Sequence, residues 1–138
     1  MADAPPRWLR PVAASLGALG VLAGAFGAHA LRDSLAPELM NAWETAADYG
    51  LLHAVVLLSL SAWESAFRSN RARPWLISAC YLFLTGILLF SGSLFALVLT
   101  GVGGLGLITP FGGTALILAW VLLVRTGLIS LDKVSGAQ

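Results

Sequence analysis

The chain has 138 residues, 58% of them hydrophobic and only 11% charged, with a mean hydropathy of +0.85 and a formal net charge of +1. Soluble domains carry about 25% charged residues, so this composition points to the membrane, and the near-zero net charge excludes the basic footprint of a nucleic-acid binder. Cys80 is the single cysteine, which excludes an internal disulfide and reads as a small core residue.

Four apolar blocks, roughly 8–31, 43–65, 75–100 and 111–130, each meet the 20 or so residues a helix needs to cross a hydrocarbon core of about 30 Å. Helix is the form that satisfies backbone groups in lipid. The expected fold is therefore an all-α membrane protein, a single four-helix transmembrane bundle.

In the first block Arg7, Arg10, an apolar run and Ala28-His29-Ala30 imitate a secretory signal with its cleavage site. The block is longer than a usual signal core, and Gly17, Gly20, Gly24 and Gly27 recur in it at spacings of three, four and three. At about 100° per residue they share one narrow helix face, which suits close packing in lipid and predicts a retained first span. His29 lies near its outer end.

Residues 32–42 read as an outer loop. Pro37 suits a first helical position and Glu38 a helix N-terminus, so a short interfacial helix is expected to start near Pro37 and run into the second span. Trp43 reads as an outer interface anchor, and Trp8, Trp63 and Trp75 as inner ones. Glu44 and Asp48 form an acidic pair one turn apart. Thr45, Tyr49 and His53 form a polar ladder at four-residue spacing, with His53 about 15 Å below Trp43 by helix rise. Lipid penalises such groups, so the ladder should face the bundle interior, and His29, Arg32, Glu44, Asp48, Tyr49 and His53 are expected to converge in one polar layer between the first two spans.

The inner loop 67–73 ends at Pro74. Ser78, Thr85 and Gly92 recur every seven residues in the third span and predict a small-residue seam. Residues 101–106, GVGGLG, match G-x-G-x-x-G, but no strand precedes them and no acidic partner follows; an outer loop is the reading. Thr109 and Pro110 look like the N-cap and first residue of the fourth span, whose small face is Gly112, Ala115 and Ala119. Arg125 lies near its inner end. Of eight basic residues only Arg32 falls on the outer side, and this asymmetry places both termini in the cytoplasm.

Gly24-Ala-Phe-Gly-Ala-His29-Ala-Leu31, Pro37-Glu38, Thr45-Ala46 with Tyr49 and His53-Ala54, Ser91-Gly92-Ser93-Leu94, Thr109-Pro110 with Gly112-Gly113, and Ala119-Trp120 together resemble the small integral-membrane family called "domain of unknown function 423". The resemblance covers nearly the whole chain. It implies a multi-pass bacterial inner-membrane protein and brings no established activity, substrate or catalytic residue. The chain departs from the family pattern at Gly50 and Leu52, where Gln and Tyr are usual, and at Ala36, where Ser is common.

Catalysis is not expected. H-E-x-x-H and G-x-S-x-G are absent, and two histidines at different depths do not form a haem ligand pair within one protomer, so no metal or cofactor is expected. Two classes stand. One is a structural or accessory subunit in the lipid bilayer, packing with a second copy or with a larger membrane complex. The other is a small transporter or channel for protons or a small solute that uses the Thr45, Tyr49 and His53 ladder. Transport pathways are marked by intramembrane charges, and the inner half of the second span lacks them, which favours the first class.

Overall fold

The computed structural model describes residues 7–62 and 71–135. Trp63, the end of the expected second span at 65 and most of the inner loop lie outside the described residues. Four helices form: α1 (Leu9–Phe26), α2 (Pro37–Ala62), α3 (Arg73–Thr100) and α4 (Thr109–Ser135). Each supplies most of a segment long and apolar enough to cross a membrane: 9–31, 37–62, 73–100 and 103–129. Below, "outer" denotes the end that carries Arg32 and residues 101–108, and "inner" the opposite end.

Local chemistry sets the boundaries. At the start of α2 the Ala36 carbonyl accepts the N–H groups of Leu39 and Met40, both at 3.0 Å, while Pro37 has no N–H to satisfy. The helix expected near Pro37 is thus continuous with the second span. α3 ends at Gly101, whose φ of +70° is left-handed and whose N–H closes on the Leu97 carbonyl at 2.9 Å. The first glycine of the GVGGLG stretch is therefore a helix cap, and a short 3₁₀ turn, Gly103–Leu107, follows it. α4 begins one residue earlier than Thr109 as N-cap requires. Ile108 supplies the capping carbonyl to Phe111 at 3.1 Å, and the Thr109 hydroxyl bonds the Ser93 hydroxyl of α3 at 2.8 Å.

α1 continues into a π-helical turn, Gly27–Leu31, a local widening of the helix. The Trp43 ring lies against it, so close that a Cβ on Gly27 would stand 2.7 Å from the ring. The Trp43 indole N–H donates to the Ala23 carbonyl of α1 at 2.8 Å. This corrects the reading of Trp43 as an interface anchor: it is 6% exposed and, with Met40 and Val98, centres the outer core.

Consecutive helices carry the main packing. Gly20 lies against Leu51 and Gly17 opposite Ala54, and the Arg10 side chain donates to the Ser61 carbonyl at 3.0 Å, which fixes the antiparallel register of α1 on α2. The inner core joins Leu9, Leu57, Leu76 and Phe83 with Leu116 and Ala119. α3 and α4 meet most tightly at Gly112, where a Cβ would stand 2.7 Å from the Phe90 Cα. α1 approaches α3 at the inner end, where the Trp8 and Tyr81 rings are 6.5 Å apart. Toward the outer side an apolar groove separates the two helices.

Two expected seams need correction. Of the four glycines in the first span, Gly20 and Gly27 make the close approach, Gly17 makes ordinary contact, and a Cβ at Gly24 would meet nothing within 4 Å. In α3, Ser78, Thr85 and Gly92 are exposed; the buried seam is Ala79, Gly86 and Ser93, one residue on and so about 100° round the helix. Gly20→Leu is accordingly expected to destabilise the protein by a few kcal/mol through overpacking against the α2 backbone. Gly24→Leu should leave the detergent melting temperature unchanged. Equal losses for both variants would refute this register.

Candidate functional site

His53 is the one candidate that the fold buries among polar contacts. It sits at the middle of α2, 4% exposed, where the spacing Ala46, Gly50, His53, Leu57 defines the face turned toward α3 and α4. Its Nδ1 lies 2.8 Å from the Tyr49 carbonyl, and the Trp120 indole N–H of α4 donates to its Nε2 at 3.2 Å. A carbonyl only accepts and an indole N–H only donates. The two contacts are satisfied together by the uncharged tautomer with hydrogen on Nδ1 and a lone pair on Nε2. Aromatic rings enclose it: Phe83 at 5.7 Å and Trp120 at 6.2 Å between centroids, with Phe83 and Trp120 edge to face at 5.4 Å.

This arrangement ties α2 to α4 across the bundle. To bind a metal or accept a proton, Nε2 would have to release the Trp120 indole, leaving a donor unpaired in an apolar site, at a cost of about 1–3 kcal/mol. Tyr49 orients His53, as the ladder implies, but through its backbone carbonyl. Its ring stacks on Phe90 at 4.8 Å and is 46% exposed, so the ladder turns outward above His53, with Thr45 half-buried.

The expected six-residue polar layer does not assemble. Tyr49 and His53 touch; His29, Arg32, Glu44 and Asp48 are all exposed, and among the described residues none of these four forms an ion pair. The reason is steric and angular. Trp43 fills the space between the outer ends of α1 and α2, and Glu44 and Asp48 lie about 100° or more round the helix from it. They point away from the bundle.

Trp120 is the residue that sequence reasoning did not assign to the site. A signal existed: it lies ten residues into the fourth span, far from either interface, and an indole N–H at that depth needs an acceptor. Arg125, the other candidate polar group of α4, lies with its guanidinium 3.9 Å from the centre of the Trp75 ring.

The profile of the family described as "Protein of unknown function (DUF423)" matches residues 23–113. A "UPF0382 membrane protein" of Staphylococcus epidermidis is 42% identical over 113 residues, covering 79% of this chain and 88% of that protein. The "UPF0382 membrane protein YwdK" of Bacillus subtilis is 38% identical over 116 residues, covering 79% and 89%. A Staphylococcus aureus relative, "UPF0382 membrane protein SAB0533", is 39% identical over 114 residues, covering 79% and 88%. No solved structure matches.

Proposed function

The chain belongs to the DUF423 family of membrane proteins, and we propose that it is a non-enzymatic structural or accessory subunit of the bacterial inner membrane, packing with a second copy of itself or with a larger membrane complex. The observation that carries this reading is the exposed pair Glu44 and Asp48 on the outward face of α2. With Gly20 beside Leu51 and Arg10 beside Ser61, the antiparallel register sets Asp48 level with Ala23. Ala23 is nine residues before Arg32, so Asp48 lies about 14 Å below that arginine at 1.5 Å per residue. A carboxylate facing hydrocarbon near a helix centre costs about 2.5–3.5 kcal/mol, which a partner offering donors or a cation offsets. In a second copy at the same depth, the exposed His29 lies two residues above the level of Glu44, which the register sets beside Gly27, and its ring offers a donor there. The satisfied hydrogen bonds of His53 speak for a structural role over proton transfer.

Replacing both Glu44 and Asp48 by Leu should dissolve the assembly without lowering the melting temperature of the protomer, read by light scattering of detergent-solubilised protein. A wild type that is monomeric in native nanodiscs, or proton flux through reconstituted liposomes that His53→Ala abolishes, would overturn the reading. Both termini are placed in the cytoplasm on the seven-to-one split of basic residues. A carboxyl-terminal phosphatase fusion should therefore be inactive in the periplasm, and activity there would reverse the topology.

A further inference from the structure

The line along which α1 touches α2 runs through Gly20 and Leu51. On one side of it lies the apolar groove, lined by Leu19 and Phe26 of α1 and by Trp43 and Gly50 of α2. Helical spacing puts Ala14, Gly17, Val21, Gly24 and Ala28 on the other side of α1, and Glu44, Asp48 and Val55 on the other side of α2. All but the half-buried Gly17 are exposed, so the two strips form one continuous face turned away from the rest of the bundle.

Two independent features of this face have no use within one protomer. The first is Gly24. A Cβ there would meet nothing within 4 Å, and glycine in a helix interior is less stable than alanine. With its neighbours it lays a shallow channel of small residues along α1, the kind of surface that lets a second helix approach closely in lipid. The second feature is polar. Glu44 and Asp48 of α2, and His29 at the outer end of α1, are exposed, and their side chains make no hydrogen bond or ion pair within the chain among the described residues.

The strips complement each other and not themselves. α2 against a second α2 would set the carboxylates against their own copies, like charge facing like. α1 against a second α1 would leave them in hydrocarbon. α1 of one copy against α2 of another fits the longer side chains of α2 to the channel on α1. Rotation about an axis along the bundle keeps every residue at its depth, so the register that sets Glu44 level with Gly27 holds across this contact as well. His29 of the second copy then stands two residues, or about 3 Å, above Glu44, with a ring N–H to donate. Gly24 and Ala28 bracket the same level, so the close approach and the donor coincide. A two-fold axis makes the contact twice and closes the assembly at two copies.

Building on the accessory-subunit reading, we propose that the partner is a second copy of this chain. Two protomers pair about a two-fold axis along the bundle, α1 of each on α2 of the other, with His29 of one donating to Glu44 of its mate.

The test uses two differently tagged full-length copies, one with Ala14→Cys and the other with Val55→Cys, coexpressed and oxidised in the membrane. The register sets Ala14 level with Leu57, two residues from Val55, so a disulfide should join the two tags. Neither variant alone should crosslink, because like positions lie across the diagonal of the four contacting helices, beyond disulfide reach. Wild type, whose Cys80 is buried, gives the background. Energy transfer between labelled copies in vesicles of phosphatidylethanolamine and phosphatidylglycerol measures the dimer constant. His29→Ala and Glu44→Ala should each weaken it about fivefold, the worth of one hydrogen bond of about 1 kcal/mol, and together by no more than either alone. Gly24→Leu should abolish both signals with no loss of protomer melting temperature, which separates assembly from folding. Energy transfer with disulfides only between like positions, additive losses at His29 and Glu44, or a Gly24→Leu dimer of wild-type strength would overturn this pairing and leave the accessory-subunit reading standing. Wild type that is monomeric in the vesicles overturns the pairing; monomeric in native nanodiscs as well, it overturns both.

Discussion

Gly112→Ala should lower the unfolding free energy of the detergent-solubilised protein by about 3 kcal/mol, at the upper end of the usual cost of overpacking. The added methyl would meet the backbone of α3, with the Phe90 Cα at 2.7 Å and the Leu89 carbonyl carbon at 2.8 Å, and backbone atoms have no rotamer by which to withdraw. α4 would have to shift away from α3, disturbing the bond between Ser93 and Thr109 and the contact of Leu116 with Gly86 on the same interface. Gly127→Ala on the same helix is the control. Nothing lies within 4 Å of a Cβ there, so its stability should match or slightly exceed wild type, because alanine favours helix over glycine. A Gly112→Ala protein that melts with the control would refute the close approach of α3 and α4.

His53→Ala should cost about 2–4 kcal/mol. It empties a space walled by Phe83 and Trp120 and leaves the Trp120 indole N–H without an acceptor. Trp120→Phe removes the donor and keeps an aromatic ring, so its loss should be smaller, about 0.6–1 kcal/mol, in line with interhelical hydrogen bonds in membranes. The double variant should cost less than the sum of the two, because the bond is removed only once. Denaturant titrations of the four proteins check this. A His53→Ala loss under 0.5 kcal/mol, or strict additivity, would show that the α2–α4 bond carries no stability.

Span number and the start of α2 were legible because length, hydropathy and Pro37 report on single segments. Which residues share a face was also legible, since helical spacing fixes it. Which face meets protein was not. In water an apolar stripe marks the core, but a span is apolar all round, so Gly24 and Gly92 look in sequence like Gly20 and Gly86. The same ambiguity misplaced Glu44 and Asp48. They were expected inside because lipid penalises charge, and that penalty is equally a reason for another protein surface to cover them. His53 was legible as an interior residue from its depth. Its partner Trp120 was marked by depth alone: an indole N–H ten residues into the fourth span needs an acceptor, but spacing within one helix does not say which residue of another helix supplies it.

The order in which the helices pack has a consequence for biogenesis. Each helix rests chiefly on the one synthesised just before it, so the contacts that must form early are short in sequence and can close hairpin by hairpin as spans leave the ribosome. The bond between His53 and Trp120 reaches past that order, spanning 67 residues. It waits for α4 and so acts as a latch on a bundle already laid down. Changes at His53 or Trp120 should therefore quicken unfolding far more than they slow insertion or folding, the pattern of contacts absent from the transition state.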